Sequence, residues 1–432
     1  MLSTTSSTHR ETKIDLKWTK WIVEWQHLTW QTAPWFVVET FAYRLLLQAV
    51  SKNLLDPFQA TKRAALKAAK PTWTADLATL AQKCAQFAPS TGSATQQELT
   101  HLLLHRSLWG NRADLSLSGG TVAEEQLSHV HKSDEAYAST AGTVDRGLLC
   151  DDSAAAVAWL SAACAAEAEA GSDSAPSADA TTAPQDQPRG VMLFADNAGL
   201  EILSDLLLVA WLLESGCLLV TLALKPSPIL VSDATPADLE DTLQWLEEIA
   251  TSADASASSA GWLAGKLRGA VTSGRLVVTI PRWTVSPLPA WSMDEELQGV
   301  VNSHAVVIFK GDANYRRLLG DRHVPFDMPA ADALSYLPRR TIALRTAKSG
   351  VMCGVSAHTC VQAAVALQPD AAPALEAALQ ASGGVWGAAL HAELLRWDKW
   401  LVTGHFGQIQ VAGSSTTSTQ ASFHHIHRLW ES

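Results

Sequence analysis

VMLFADNAGLEILSDLLLVAWLLESG, residues 191–216, decides the fold class. Val191 to Ala195 form a short apolar run, which reads as a strand buried on both faces. The run stops at Asp196-Asn197, and an almost wholly apolar helix follows from about Gly199. An acid and an amide at the carboxyl end of a buried strand, facing a helix N-terminus, suit a metal ion and a phosphate.

The same alternation continues downstream. CLLVTLAL (217–224), RLVVTI (275–280), HAVVIFK (304–310) and RTIALRT (340–346) read as further strands, separated mostly by helical stretches. Residues 400–403 and 406–411 read as a late pair at the sheet's edge. The pattern predicts an α/β fold over 190–412: a Rossmann-like, doubly wound, mostly parallel sheet flanked by helices. Upstream, 14–165 read as a mainly α-helical region packed on that sheet. Successive helices are expected in IDLKWTKWIVEWQHLTW, PWFVVETFAYRLLLQAV and KRAALKAAKPTWTADLATLAQKCAQF, and Asp151 is expected to cap SAAAVAWLSAACAAEAEA.

Residues 166–189 are rich in Ala, Ser, Asp and Pro without a large apolar side chain, so they are expected to be a disordered insertion. SADASASSA (252–260) reads as a second, shorter flexible insertion. Residues 1–13 and 413–432 read as a disordered N-terminus and a flexible tail.

Composition narrows the function. With 47% hydrophobic and 17% charged residues the 432-residue chain is ordinary for a globular protein. A net charge of −11 argues against nucleic acid as a partner. No apolar run approaches a membrane span, since 206–213 is bracketed by Asp205 and Glu214. The N-terminus has no apolar core of a secretory signal, and the six Cys show no CxxC, so a reduced, cytoplasmic setting is expected.

Four clusters lie just beyond expected strand ends. They are Asp196, Asn197 and Glu201; Asp233 in ILVSDAT; Lys310, Asp312, Asn314 and Arg316 in FKGDANYRRL; and Arg345 with Lys348 in RTAK. Acids at two strand ends and bases at two others form a phosphoryl-transfer layout, a cation site beside a phosphate site. Taken singly, the same residues have ordinary uses: Asp196-Asn197 and Asp233 as helix caps, Lys310 and Arg316 as solvated charges. Glu39 reads as a helix residue paired with Arg44 or solvated, rather than as a catalytic acid. GWLAGKL (261–267) lacks the spacing and the Ser/Thr of a P-loop. HHIHR (424–428) reads as part of the tail rather than as a metal site.

Together, DNAGLE, VSDAT, FKGDANYRRL and RTAK resemble, in order and spacing, the DUF89 or damage-control phosphatase family, and within it the RTxK-containing, acidic residue methyltransferase 1-like group. PWFVVETFAYR (34–44), DPF with a following Lys (56–62) and LLHRSLWGNRADLSLS (102–117) agree with it. The resemblance implies that Asp196, Asn197 and Asp233 hold one divalent cation (Mn, Co, Ni or Mg) and form the catalytic set. It implies that Glu201, Asp312, Asn314, Tyr315, Arg316 and Lys348 contact a small sugar phosphate such as fructose 1-phosphate or fructose 6-phosphate. Asn111 and Asp114 would lie at the rim. The nucleophile is either a metal-bound water or the Asp196 carboxylate. Ala198 stands where a haloacid-dehalogenase phosphatase has its second Asp, which favours water. Two other functions stand beside this one: an S-adenosylmethionine-dependent protein carboxyl methyltransferase, and a metabolite-binding regulator without turnover. FADNAGLE has a single Gly where a methyltransferase of Rossmann type has a Gly-rich turn.

Overall fold

The computed structural model describes Val23 and residues 27–51, 56–88, 93–110, 143–171 and 188–413. The expected termini, most of the 166–189 insertion, and Asn111, Asp114 and HHIHR lie outside these.

The N-terminal helices are α1 (Trp35–Ser51), α2 (Gln59–Ala68), α3 (Ala78–Ala85) and α4 (Ser93–Gly110). Then come β1 (Leu148–Asp151), α5 (Ser153–Gly171), β2 (Val191–Phe194), α6 (Leu200–Glu214) and β3 (Val220–Ala223). They are followed by α7 (Pro236–Ala250), α8 (Ala257–Thr272), β4 (Leu276–Thr279), α9 (Glu295–Asn302), β5 (Val306–Lys310) and α10 (Asp312–Leu319). The last elements are β6 (Arg340–Thr346), α11 (Ala357–Leu367), α12 (Ala372–Ala381), α13 (Ala388–Arg396) and β7 (Gly407–Ala412).

The seven strands lie in the order β1-β7-β6-β5-β2-β3-β4. All neighbours are parallel except β6 and β7. The expected doubly wound α/β architecture is therefore present. From β2 the chain moves outward through β3 and β4, then crosses back to lay β5 on the other side of β2. The crevice beyond the carboxyl ends of β2 and β5 is thus the topological switch point, where such sheets bind ligands.

Strand alternation explains why β2 is apolar throughout. Val191 and Leu193 enter the core on one face, Met192 and Phe194 the core on the other. Phe194 stacks on Phe309 of β5 at 4.5 Å between centroids. Helix α6 is buried from Leu200 to Leu213 because it lies beneath the sheet with α3, α4 and α8 packed around it. Trp211 settles its one polar atom by donating to Thr100 Oγ1 of α4 at 2.9 Å. Gly110, at the end of α4, allows close approach: a Cβ there would lie 3.0 Å from Glu201 Cα.

Three local readings are corrected. The region 14–165 contains a strand, β1, which pairs with β7 and joins the main sheet; LLCD is too short to announce itself among helices. Residues 399–402 are helical and β7 lies between β1 and β6, so there is no late edge pair. Residues 252–260 are not a flexible insertion. Asp254 Oδ1 accepts from Ser256 N at 2.9 Å and Oγ at 2.7 Å, Trp73 Nε1 donates to Ser256 Oγ at 3.0 Å, and α8 begins at Ala257. Ser256 stands at the N-cap position with its hydroxyl held by Asp254 and Trp73 rather than capping α8, and alanine propagates the helix. GWLAGKL lies inside α8 and forms no phosphate loop. Asp151 accepts from Ser153 N at 3.1 Å at the start of α5. None of the six cysteines is in a disulfide. Among the described residues no helix is long and apolar enough to cross a membrane.

Candidate active site

Asp196 and Asn197 leave β2 at the switch point, and the VSDAT loop is tied to them through the backbone. Asn197 and Asp233 form an isolated antiparallel bridge; Ala234 N donates to Asp196 O at 2.9 Å and Ala198 N to Ser232 O at 2.7 Å. The three side chains expected to act together therefore do lie together. Lys225, just after β3, joins them, its ammonium donating to Asp196 Oδ1 at 2.6 Å and to Asp233 Oδ1. Asp233 Oδ2 accepts from Leu230 N at 2.8 Å, and Asn197 Oδ1 accepts from Ser232 Oγ at 2.8 Å. Burial pushes the Asp233 carboxyl up, with Lys225 opposing and Asp196 adding to the push. Burial also works against the Lys225 charge, but the two carboxylates hold its pKa above the usual value. The sequence signal for Lys225 was a charge ending the apolar run CLLVTLAL, and it was missed.

Gly311 is where β5 turns into α10, at φ +84°. A Cβ there would fall 1.7 Å from Asp196 Oδ2, so the glycine gives this carboxylate its room.

Glu201, in the first turn of α6, is buried. Its Oε2 accepts from Asn197 Nδ2 at 2.9 Å and its Oε1 from Lys310 Nζ at 3.1 Å. It orients Asn197 from behind. Lys310 also donates to Ser107 O at 2.5 Å and lies 3.3 Å from Asp205 Oδ1. Burial opposes its charge, while Asp205 and Glu201 hold its pKa up. Asp205 is pushed up to about 7, by burial first and by Glu201, against Lys310.

Asp312 opens α10 and is held at one oxygen. Its Oδ1 accepts from Arg345 Nε at 2.7 Å, Ser349 Oγ at 3.2 Å and Lys348 N at 3.3 Å. These contacts leave Oδ2 as the oxygen turned to other uses. Arg345 is wholly buried, and each guanidinium nitrogen is engaged, on Asp312, Val351 O, Gln408 Oε1 and Ser349. It positions Asp312.

Tyr315 and Asn314, expected at the substrate, have their side chains engaged within the fold. Tyr315 is buried in the core under the Arg345 guanidinium, 4.3 Å from the ring centroid, and its hydroxyl donates to Gln410 Oε1 at 2.7 Å. Asn314 is buried too, its Nδ2 donating to Lys310 O at 2.8 Å and Ala195 O at 3.3 Å. It braces the ends of β2 and β5. Both side chains support the site from below.

Arg316 does face it. Asp321, itself at φ +55°, holds Nε at 2.6 Å and Nη2 at 3.0 Å in a fork. The guanidinium lies over Phe36 of α1 at 4.5 Å, and Nη1 points towards Glu39 Oε2 at 3.7 Å. Glu39, expected to be solvated or paired with Arg44 within its helix, is instead part-buried and turned towards Arg316. Lys62 of α2 is the second contribution from the N-terminal helices. It reaches Asp233 O at 2.9 Å, Asp238 Oδ2 at 2.5 Å and Asp56 Oδ2 at 2.5 Å.

Comparison with known proteins decides the family. The model of the damage-control phosphatase ARMT1-like domain matches residues 3–361. The chain belongs to this family. Curated relatives named damage-control phosphatase ARMT1 include those of Danio rerio (27% identical over 77% of this chain and 69% of the relative), Homo sapiens (28%, 76% and 69%) and Mus musculus (26%, 89% and 75%). The switch-point cluster therefore belongs to a member of a family named for damage-control phosphatases.

The donor set of the cluster suits a hard divalent cation: two carboxylates and one amide oxygen. Among the described residues no three His, Cys, Asp or Glu side chains form a metal-binding group, so the set depends on Asn197. Among the described residues, Asp196 Oδ2 has one hydrogen-bond partner, Asn197 Nδ2 at 3.3 Å.

Proposed function

We propose that this protein is a divalent-cation-dependent phosphomonoesterase acting on small sugar phosphates such as fructose 1-phosphate and fructose 6-phosphate. The observation that carries the reading is the convergence of Asp196, Asn197 and Asp233 at the switch point, facing Asp312, Lys348 and Arg316 across the mouths of β2 and β5.

Asp196, Asn197 and Asp233 would hold the cation, with Mn, Co, Ni and Mg all suited to these oxygens. When bound, it supplies positive charge to draw electron density from a phosphoryl oxygen. The chain's own residues do the rest. Lys225 keeps the Asp196 and Asp233 carboxylates together, and Glu201 fixes the Asn197 amide. Arg316 Nη1 and Lys348 neutralise equatorial oxygens as water attacks phosphorus in line. Asp312 Oδ2 accepts from a sugar hydroxyl, because Arg345 and Ser349 occupy its other oxygen.

A substrate panel tests this reading. With Mn or Co present, inorganic phosphate should be released faster from hexose phosphates than from nucleoside monophosphates. Equal rates on both classes, or a preference for nucleotides, would remove the sugar-phosphate assignment.

A further inference from the structure

We propose that Glu39 is the general acid that protonates the leaving sugar oxygen, a catalytic role supplied by helix α1. The proposal rests on the sugar-phosphatase reading above.

The placement of α1 is firm. Phe36 is buried, and Thr40 Oγ1 donates to Phe36 O at 2.7 Å. Glu39 therefore hangs from an anchored turn, with its side chain 26% exposed and so open to a ligand. Its carboxylate stands 3.7 Å from Arg316 Nη1, the nitrogen that the Asp321 fork leaves pointing into the site. A phosphoryl group bound at that nitrogen would bring its ester oxygen next to Glu39.

The other carboxylates are committed elsewhere. Asp196 and Asp233 share the Lys225 ammonium, Glu201 holds Lys310 at 3.1 Å, and Asp312 holds Arg345 at 2.7 Å. Among the described residues the cation nearest Glu39 is Arg316, at 3.7 Å, looser than the pairs above. Besides Arg316, the charged groups that bear on it are Asp233 beyond β3, Asp312 at the start of α10 and Asp321 after it. Burial raises the Glu39 pKa, Arg316 works against this, and the three aspartates add to it. A carboxyl that keeps its proton longer than usual suits an acid.

The step balances as follows. Water oxygen bonds to phosphorus, the P–O bond to the sugar breaks, and the departing electron pair takes the Glu39 proton. Both water protons leave on dihydrogen phosphate, which returns one to Glu39 through solvent.

Glu39→Gln and Glu39→Asp, assayed on fructose 1-phosphate and p-nitrophenyl phosphate with Mn, test the proposal. For Glu39→Gln, kcat on the sugar should fall by about 100-fold or more with little change in KM. On p-nitrophenyl phosphate the fall should be under about 10-fold, since nitrophenolate departs without a proton. The alkaline limb of the wild-type kcat profile should vanish in Glu39→Gln and persist, at lower rate, in Glu39→Asp. Equal losses on both substrates, a loss confined to KM, or an alkaline limb kept by Glu39→Gln would overturn it. Wild-type protein that releases phosphate from neither substrate overturns the underlying phosphatase reading instead.

Discussion

Several buried cations around the site, Lys62, Lys225 and Lys310 among them, each answer more than one anion. Lys62 is the clearest case, because one ammonium serves Asp56, Asp238 and the Asp233 carbonyl. Lys62→Met should cost about 3–5 kcal/mol in urea unfolding, the cost of leaving buried carboxylates unpaired. A loss under about 1 kcal/mol would mean the three contacts contribute little. Asp205 gives a pH signature. Its carboxyl is pushed up to about 7 from an ordinary 3.8, so the folded state keeps a proton that the unfolded state releases. That contribution to stability is present at acid pH and lost as pH rises through 7. Melting temperatures of wild type should therefore fall relative to Asp205→Asn between about pH 4 and pH 7, and a constant difference would contradict the shift. Residue identity made the site legible in the sequence, because Asp196, Asn197 and Asp312 stand just past apolar strands and Asp233 stands in the loop that follows another. Lys225 and Glu39 were not legible. Their roles come from partners 29 and 277 positions away, Asp196 and Arg316, and no local spacing encodes that.

Elements place these residues through their ends. Strand β2 delivers Asp196-Asn197 and β5 delivers Asp312, while the turn between β5 and α10 must pass close under Asp196. Gly311→Ala should therefore leave a folded protein with a displaced Asp196 carboxylate and activity reduced by at least about 100-fold. Positive φ alone would cost about 1–2 kcal/mol, read as a modest drop in Tm. Full activity in Gly311→Ala would show that Asp196 needs no such room. The long strands and α6 were readable because unbroken apolar runs mean burial on both faces. Strand β1 was not, since LLCD holds only two large apolar residues before Asp151 ends the run, and the serines of 252–260 looked like a linker although Ser256, held by Asp254 and Trp73, leads into α8. Tyr315 and Asn314 looked like ligands because they share a motif with Arg316. The helix instead turns their side chains into the core.

At the scale of the whole molecule, the helical region and the sheet are one structure. Strand β1 completes the sheet beside β7, α4 covers α6, and α1 and α2 reach the site through Glu39 and Lys62. A fragment starting at residue 190 should therefore show no cooperative thermal transition, because α6 would lose α3 and α4 and expose the apolar face they cover; a sharp melt would contradict this. The central claim concerns the cluster of Asp196, Asn197 and Asp233. Its most direct test is phosphate release from fructose 1-phosphate by chelator-stripped protein, with and without added Mn, Co, Ni or Mg, alongside Asp196→Ala. The account predicts that the stripped protein is inactive, that added cation restores turnover, and that Asp196→Ala stays at least about 100-fold lower with any of the four. Turnover that ignores the chelator, or survives the substitution, would contradict it.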